Sequence, residues 1–322
     1  MHFNNPELLE DPYPHYKKWR EEKPIWWAED VGGWVLSRYD DVRTILKDAS
    51  LFSSNSMGEM DQQAMALPLL TDDPPRHTQL RAIVNKAFTS RTLKHMEAEV
   101  ASLVEELLDD MAGKTVIDIS EDFTIPLPVY IIARRMGIPE DRAEDFKRWS
   151  DALTGTSEAA SLEERLPDIM EMATYFGSLI PERRENPGDD LISKVVQAEV
   201  DGVGISDEDI VGFNILLLIA GNETTTNLLS NLLNHLADHP EKWDELRDNP
   251  DKIEAAVEET LRFDGPVHWV NRKATADTEF HGQKVKAGDI VKVKVMEVDI
   301  ARQRIAMSMR LDDEPGKGSG GK

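Results

Sequence analysis

The chain contains no cysteine in its 322 residues. Disulfides, thiolate nucleophiles and cysteine-ligated metal centres are thereby excluded. It also lacks an apolar run approaching the ~20 residues that a bilayer crossing requires. Its opening stretch, Met1-His2-Phe3-Asn4-Asn5-Pro6, has no basic segment followed by an apolar one. A cytoplasmic protein without membrane association is expected. Positive charge is scarce, with 37 Lys and Arg against 61 Asp and Glu and a net charge of −24. Such a surface repels phosphate backbones and anionic lipid, so nucleic acid is an unexpected partner for the chain as a whole.

What is present suffices for a globular core, with 40% apolar residues and length for one large domain or two ordinary ones. The charge is uneven. Gln283 to Lys322 carry nine Lys and Arg against six Asp and Glu, net +3, leaving 28 against 55, net −27, for the first 282 residues. Two origins within one chain would produce that contrast.

The first 60 residues read as helix, hairpin, helix. Tyr13, Tyr16 and Trp19 recur at helical spacing after Asp11-Pro12, and Ile25–Ala28 and Trp34–Ser37 are short β-type runs around Val31-Gly32-Gly33. Tyr39-Asp40-Asp41-Val42 opens a helix with acidic residues where the dipole favours them. From Arg76 to about Arg262 the pattern is mainly helical, with amphipathic runs over 92–111 and 162–184. Gly113-Lys114, Gly137-Ile138-Pro139 and Asn186-Pro187-Gly188 supply the breaks. Between about Ser206 and Ala237, the stretch Phe213–Ala220 is apolar on every face except Asn214, which places that helix in the core. After Gly282, Val291, Val293 and Val295 alternate with Lys292 and Lys294, and Ile305, Met307 and Met309 with Ala306 and Ser308. That alternation predicts an antiparallel hairpin with one buried face, followed by a flexible Gly-rich tail over 313–322.

Three constellations carry chemistry. In the central helix, Glu223, Thr224 and Thr225 follow the small pair Ala220-Gly221. Small residues permit close approach to the backbone, and a hydroxyl beside a carboxylate can relay protons into a dry site; alternatively, the threonines bond back to the preceding turn of an ordinary core helix. Glu259 and Arg262, three apart, share one helical face and can pair, as any solvated surface pair does. His77 and Arg81, four apart at a helix start after Asp72-Asp73-Pro74-Pro75, present two cationic or donor groups as a ligand carboxylate would need. The bland alternative is an exposed helix start, and Arg272 could add a third cation.

In this order these motifs, together with Arg38-Tyr39-Asp40-Asp41-Val42 and Phe280–Asp289, resemble a bacterial, soluble cytochrome P450 over about residues 1–289. The resemblance implies a mainly α fold with small β-sheets and a haem-dependent monooxygenase hydroxylating a small apolar substrate with an electron-transfer partner. His77, Arg81 and Arg272 would hold the haem propionates, and Ala220, Gly221, Glu223 and Thr224 would form the oxygen-activating groove, with Glu223 and Thr224 delivering protons. Glu259 and Arg262 would be a structural ion pair. Val267 and part of the Gly58–Leu70 loop would line the substrate cavity.

The family's ligand is a cysteine thiolate, whose electron donation favours O–O cleavage, and no metal ligand of that kind exists here. The resemblance therefore implies a domain over 1–288 that stops before the cysteine-bearing segment and is inactive as it stands. Residues 289–312 are similar to the last two strands of an S-one RNA-binding domain, joined near Lys286–Val291. Two alternatives stay open: a non-catalytic haem or small-molecule binding module, and an RNA-interaction protein acting through the basic C-terminal hairpin. Core residues left uncovered would favour self-association.

Overall fold

The computed structural model describes residues 7–8, 11–56, 67–87, 90–154, 161–200 and 203–294. The chain divides into two compact units, one built from Met1–Ser56 with Glu254–Lys322 and the other from Met57–Ile253.

Helix α1 (Pro12–Glu22) starts where Asp11 accepts a hydrogen bond from the Tyr13 amide at 3.2 Å, with proline at its first position. It buries Tyr16 and Trp19 against Trp26, Ala28 and Val35. Strands β1 (Ile25–Ala28) and β2 (Gly33–Leu36) form the expected antiparallel hairpin, Ile25 opposite Leu36. Gly32, at φ 60°, makes the left-handed step of its turn. Helix α2 (Tyr39–Lys47) carries Asp40 and Asp41 in its first turn and buries Val42 and Ile45, and β3 (Phe52–Ser53) follows.

The second unit is helical: α3 (Arg76–Ala87), α4 (Ser90–Met111), a π-type turn over Ser120–Thr124, α5 (Pro126–Met136), α6 (Ala143–Thr154) and α7 (Leu162–Glu185). Then come α8 (Leu191–Val196), the small hairpin β4 (Glu199–Val200) and β5 (Val203–Gly204), α9 (Asp207–Asp238) and α10 (Pro240–Asp248). The breaks fall at the expected stop signals. Gly137, at φ 71°, ends α5, its amide donating to Arg134 O and that of Ile138 to Ala133 O. Helix α7 opens on a capping box between Ser161 and Glu164. Phe146, Trp149, Met172, Phe176, Ile210 and Leu218 are wholly buried in one core. The expectation that Phe213–Ala220 is core holds for Phe213, Asn214, Ile215 and Leu218, whereas Ala220 is exposed. No described helix is long and apolar enough to cross a membrane.

The chain returns to the first unit with α11 (Ile253–Phe263), β6 (Trp269–Ala274), β7 (Thr278–Phe280), β8 (Gln283–Val285) and β9 (Ile290–Lys294). Its five-stranded sheet has the order β1-β2-β9-β6-β3. Strand β9 runs parallel to β2, Trp34 opposite Val291, and antiparallel to β6, Arg272 opposite Val291. Val291 and Val293 are fully buried beside Leu36, Ile45, Phe52 and Ala274. The turn before β9 is pinned at one carboxylate oxygen of Asp289, which accepts from Trp34 Nε1 and the Lys286 amide at 2.9 Å each.

With the valines on the buried face, Lys292 and Lys294 are expected on the solvent face of a hairpin, yet β9 is an interior strand paired on both flanks and Lys294 is buried. Burial of valine on one face and packing of Lys294 against aromatic rings on the other override the simple alternation. The second arm of the expected hairpin, around 305–309, and the tail lie outside the described residues.

Candidate functional site

The expected site residues divide between the units: His77, Arg81, Ala220, Gly221, Glu223 and Thr224 in the helical one, and Glu259, Arg262 and Arg272 in the sheet-bearing one.

In the helical unit, α3 turns Leu80, Ile83 and Val84 toward Val195 and Phe213. Its start is tied down by Arg76, which pairs with Asp72 at 3.3 Å and with Asp209 of α9. His77, half-buried, and Arg81, exposed, follow one turn apart. Among the described residues neither side chain has a hydrogen-bond or ion-pair partner, which leaves two donors available for an anionic group. The cavity that Leu80, Ile83, Val84, Val195 and Phe213 line beside α3 holds about 10 Å³, room for one water.

Along α9, the hydroxyl of Thr224 donates to Ala220 O at 2.6 Å. This is the back-bond of an ordinary helical threonine. Glu223 is exposed, and no hydrogen bond joins it to Thr224 among the described residues. Gly221 has a packing reason to be small: a Cβ there would lie 2.6 Å from Ile132 Cδ1 of α5. The buried polar residue of the motif is Asn222. Its Nδ2 donates to Ser150 Oγ on α6, and the Thr226 hydroxyl lies 3.2 Å from its Oδ1 and 3.0 Å from Thr124 O. Thr124 and Ser230 hydroxyls meet at 2.8 Å. Sequence reasoning missed this polar seam. The signal was there, since Asn222, Thr226 and Ser230 repeat every four residues in an apolar helix.

In the other unit Glu259 and Arg262 do pair. Arg262 donates through two nitrogens to the two carboxylate oxygens, both at 2.7 Å, and holds the Glu259 carboxyl below its ordinary range. Their side chains are 55% and 37% exposed. Arg272, on β6, donates to Asn271 O at 2.8 Å. Val267 is exposed, Leu67 is buried and Leu70 is exposed; residues 58–66 of the expected substrate wall lie outside the described residues.

For the haem that the resemblance implies, the chemistry of the donor set gives a divided answer. His77 and Arg81 suit a propionate. An iron ligand of the family's kind does not fit, since the 322 residues hold no thiol, and among the described residues no three His, Asp or Glu side chains cluster as a metal site.

The cytochrome P450 family model matches residues 22–254. Cytochrome P450 109 of Bacillus spizizenii is 38% identical over 288 residues, covering 87% of this chain and 69% of its own length. Erythromycin C-12 hydroxylase of Saccharopolyspora erythraea is 37% identical over 283 residues, covering 86% of this chain and 70% of that enzyme. Substrate-free CYP109E1 from Bacillus megaterium superimposes with a TM-score of 0.82 at 37% identity, over 88% of this chain and 76% of that one. A family match across most of the chain, relatives at this identity and a shared helical architecture agree: the chain belongs to the cytochrome P450 family.

Proposed function

We propose that this chain is a haem-binding scaffold of the cytochrome P450 family that does not by itself carry out thiolate-dependent oxygen activation. The observation supporting it is the pair His77 and Arg81, presented together on α3 without partners among the described residues, in a chain free of cysteine. In the family, haem supplies reductive activation of oxygen for hydroxylating a small apolar substrate, with electrons from a redox partner. His77 and Arg81, with Arg272, would hold the propionates, and Ala220, Gly221, Glu223 and Thr224 would face the oxygen side.

The test is haem titration of the wild type and an Arg81→Ala, Arg272→Ala double variant. Weaker binding by the variant, by tenfold or so for the loss of charge-assisted hydrogen bonds, supports the scaffold. Equal affinities refute it.

Residues from about Asp289 onward are read as a segment of separate, S-one-like origin. The net +3 of residues 283–322 against −27 before them supports that reading. Reading the coding DNA across codons 286–291 tests it: an uninterrupted family sequence there would remove it. No observation favours RNA binding, because Lys294 is turned into the protein and is unavailable to a phosphate.

A further inference from the structure

The interior of the sheet-bearing unit contains an ionisable amine that no carboxylate pairs with among the described residues. Lys294, the last residue of β9, is 7% exposed. Its Nζ sits 3.8 Å from the centroid of the Tyr16 ring and 5.4 Å from that of Tyr13, both on α1. Among the described residues no carboxylate pairs with it. Asp264, whose charge acts on the amine, accepts from the Tyr13 hydroxyl at 2.6 Å and lies 3.9 Å from His268 Nε2. Among the described residues, the other ionisable groups acting on the box are Asp11, Arg20 on α1, whose carbonyl accepts from Arg38 at 2.9 Å, and His268. The His268 Nδ1 lies 3.1 Å from the Tyr16 hydroxyl. Trp269 of β6, directly opposite Lys294 in the sheet, closes the box edge-on against Tyr16 at 5.4 Å.

We propose that Lys294 is a proton-controlled latch on the central strand: the neutral amine keeps the end of β9 seated in the Tyr13–Tyr16 box, and protonation loosens it. Strand β9 is the element that joins β1-β2 to β6-β3, so its seating decides whether the sheet is continuous. Two effects compete at the amine. Burial, reinforced by the positive charge of Arg20, disfavours the ammonium, while the charge of Asp264 and the ring face of Tyr16 favour it. Burial prevails and pushes the Lys294 amine down to about 7 from its ordinary 10.5. Because the folded value is depressed, the released strand binds more protons than the seated one between those limits. Seating is therefore firm at high pH, weakens up to about tenfold per unit as pH falls toward 7, and levels off below. The latch lies wholly in one unit and does not depend on the haem reading.

Two measurements on the full chain test it. Protein labelled with ¹³Cε-lysine, with Lys294→Met identifying the resonance by its loss, reports the titration. A midpoint below about 9 supports the latch, and one at or above about 9 overturns it, since an ordinary lysine titrates near 10.4. Hydrogen exchange of the β6 and β9 amides, corrected for intrinsic rates, reports the seating. From pH 9 to pH 7 the opening constant in wild type should rise roughly 50-fold more than in Lys294→Met. Equal pH dependence in the two proteins overturns the latch. The titration requires no variant to be stable, because the wild-type resonance alone gives the midpoint.

Discussion

Replacing Gly221 by alanine separates two reasons for a small residue in the central helix. An alanine Cβ would lie 2.6 Å from Ile132 Cδ1 and 3.3 Å from its Cγ1. Carbon atoms rest at about 3.5–4.0 Å, so the isoleucine tip must retreat by about 1 Å. Ile132 is only half-buried and the closest atom is its terminal methyl. The retreat is therefore a rotamer adjustment at the lower end of the ~1–3 kcal/mol typical of overpacking. Against it stands the helix propensity of alanine over glycine, roughly 0.8–1 kcal/mol in favour of the variant. The two nearly offset, and Gly221→Ala should fall between neutral and about 1 kcal/mol destabilising. Ile132→Val removes the offending methyl at about 0.5–1.5 kcal/mol. In that background alanine at 221 should gain its propensity without the clash, a coupling of about 1 kcal/mol. Urea unfolding followed by helical circular dichroism on the four proteins gives the cycle. If the cost of Gly221→Ala is the same with isoleucine or valine at 132, packing on α5 is not what requires the glycine, and approach by another group becomes its explanation.

Asn214 is fully buried with neither amide atom partnered among the described residues, so Asn214→Leu should stabilise by about 1–3 kcal/mol, and a lowered thermal midpoint would contradict that. Asn222→Ala should do the reverse, costing about 1–2 kcal/mol because it removes the buried donor to Ser150 Oγ and the amide oxygen 3.2 Å from the Thr226 hydroxyl; an unchanged thermal midpoint would contradict that. Ser161→Ala removes the cap of α7 and should cost about 1 kcal/mol in urea. The Glu259–Arg262 pair, being partly exposed, should show a coupling near 0.5 kcal/mol in a double-mutant cycle. Since Arg262 depresses the Glu259 carboxyl, that coupling is present above the ordinary carboxylate range near 4.3 and fades as pH falls through the lowered value; a coupling unchanged at acid pH would refute the assignment.

Local features were legible in the chain. Asp11-Pro12 opens α1, Gly137 closes α5 and Val31-Gly32-Gly33 turns the first hairpin, because each acts through neighbouring backbone atoms. Non-local features were not. The parallel pairing of Ile290–Lys294 with Gly33–Leu36 joins segments more than 250 positions apart, and nothing in either run encodes the partner. Lys294 illustrates the consequence: alternation alone put it in solvent, whereas Tyr13 and Tyr16 from the far end of the chain enclose it. At the candidate site, the order of motifs was enough to identify the family, and the Glu259–Arg262 pair formed as its spacing required. The Asn222–Ser150 bond depends on two helices meeting and was invisible until they did.

The central claim is a family scaffold that lacks its thiolate. Its most direct test is the spectrum of the purified chain, given haem, reduced and exposed to carbon monoxide. The account predicts bound haem without the thiolate-type band, because none of the 322 residues can furnish the sulfur. A thiolate-type band from this chain alone would contradict it.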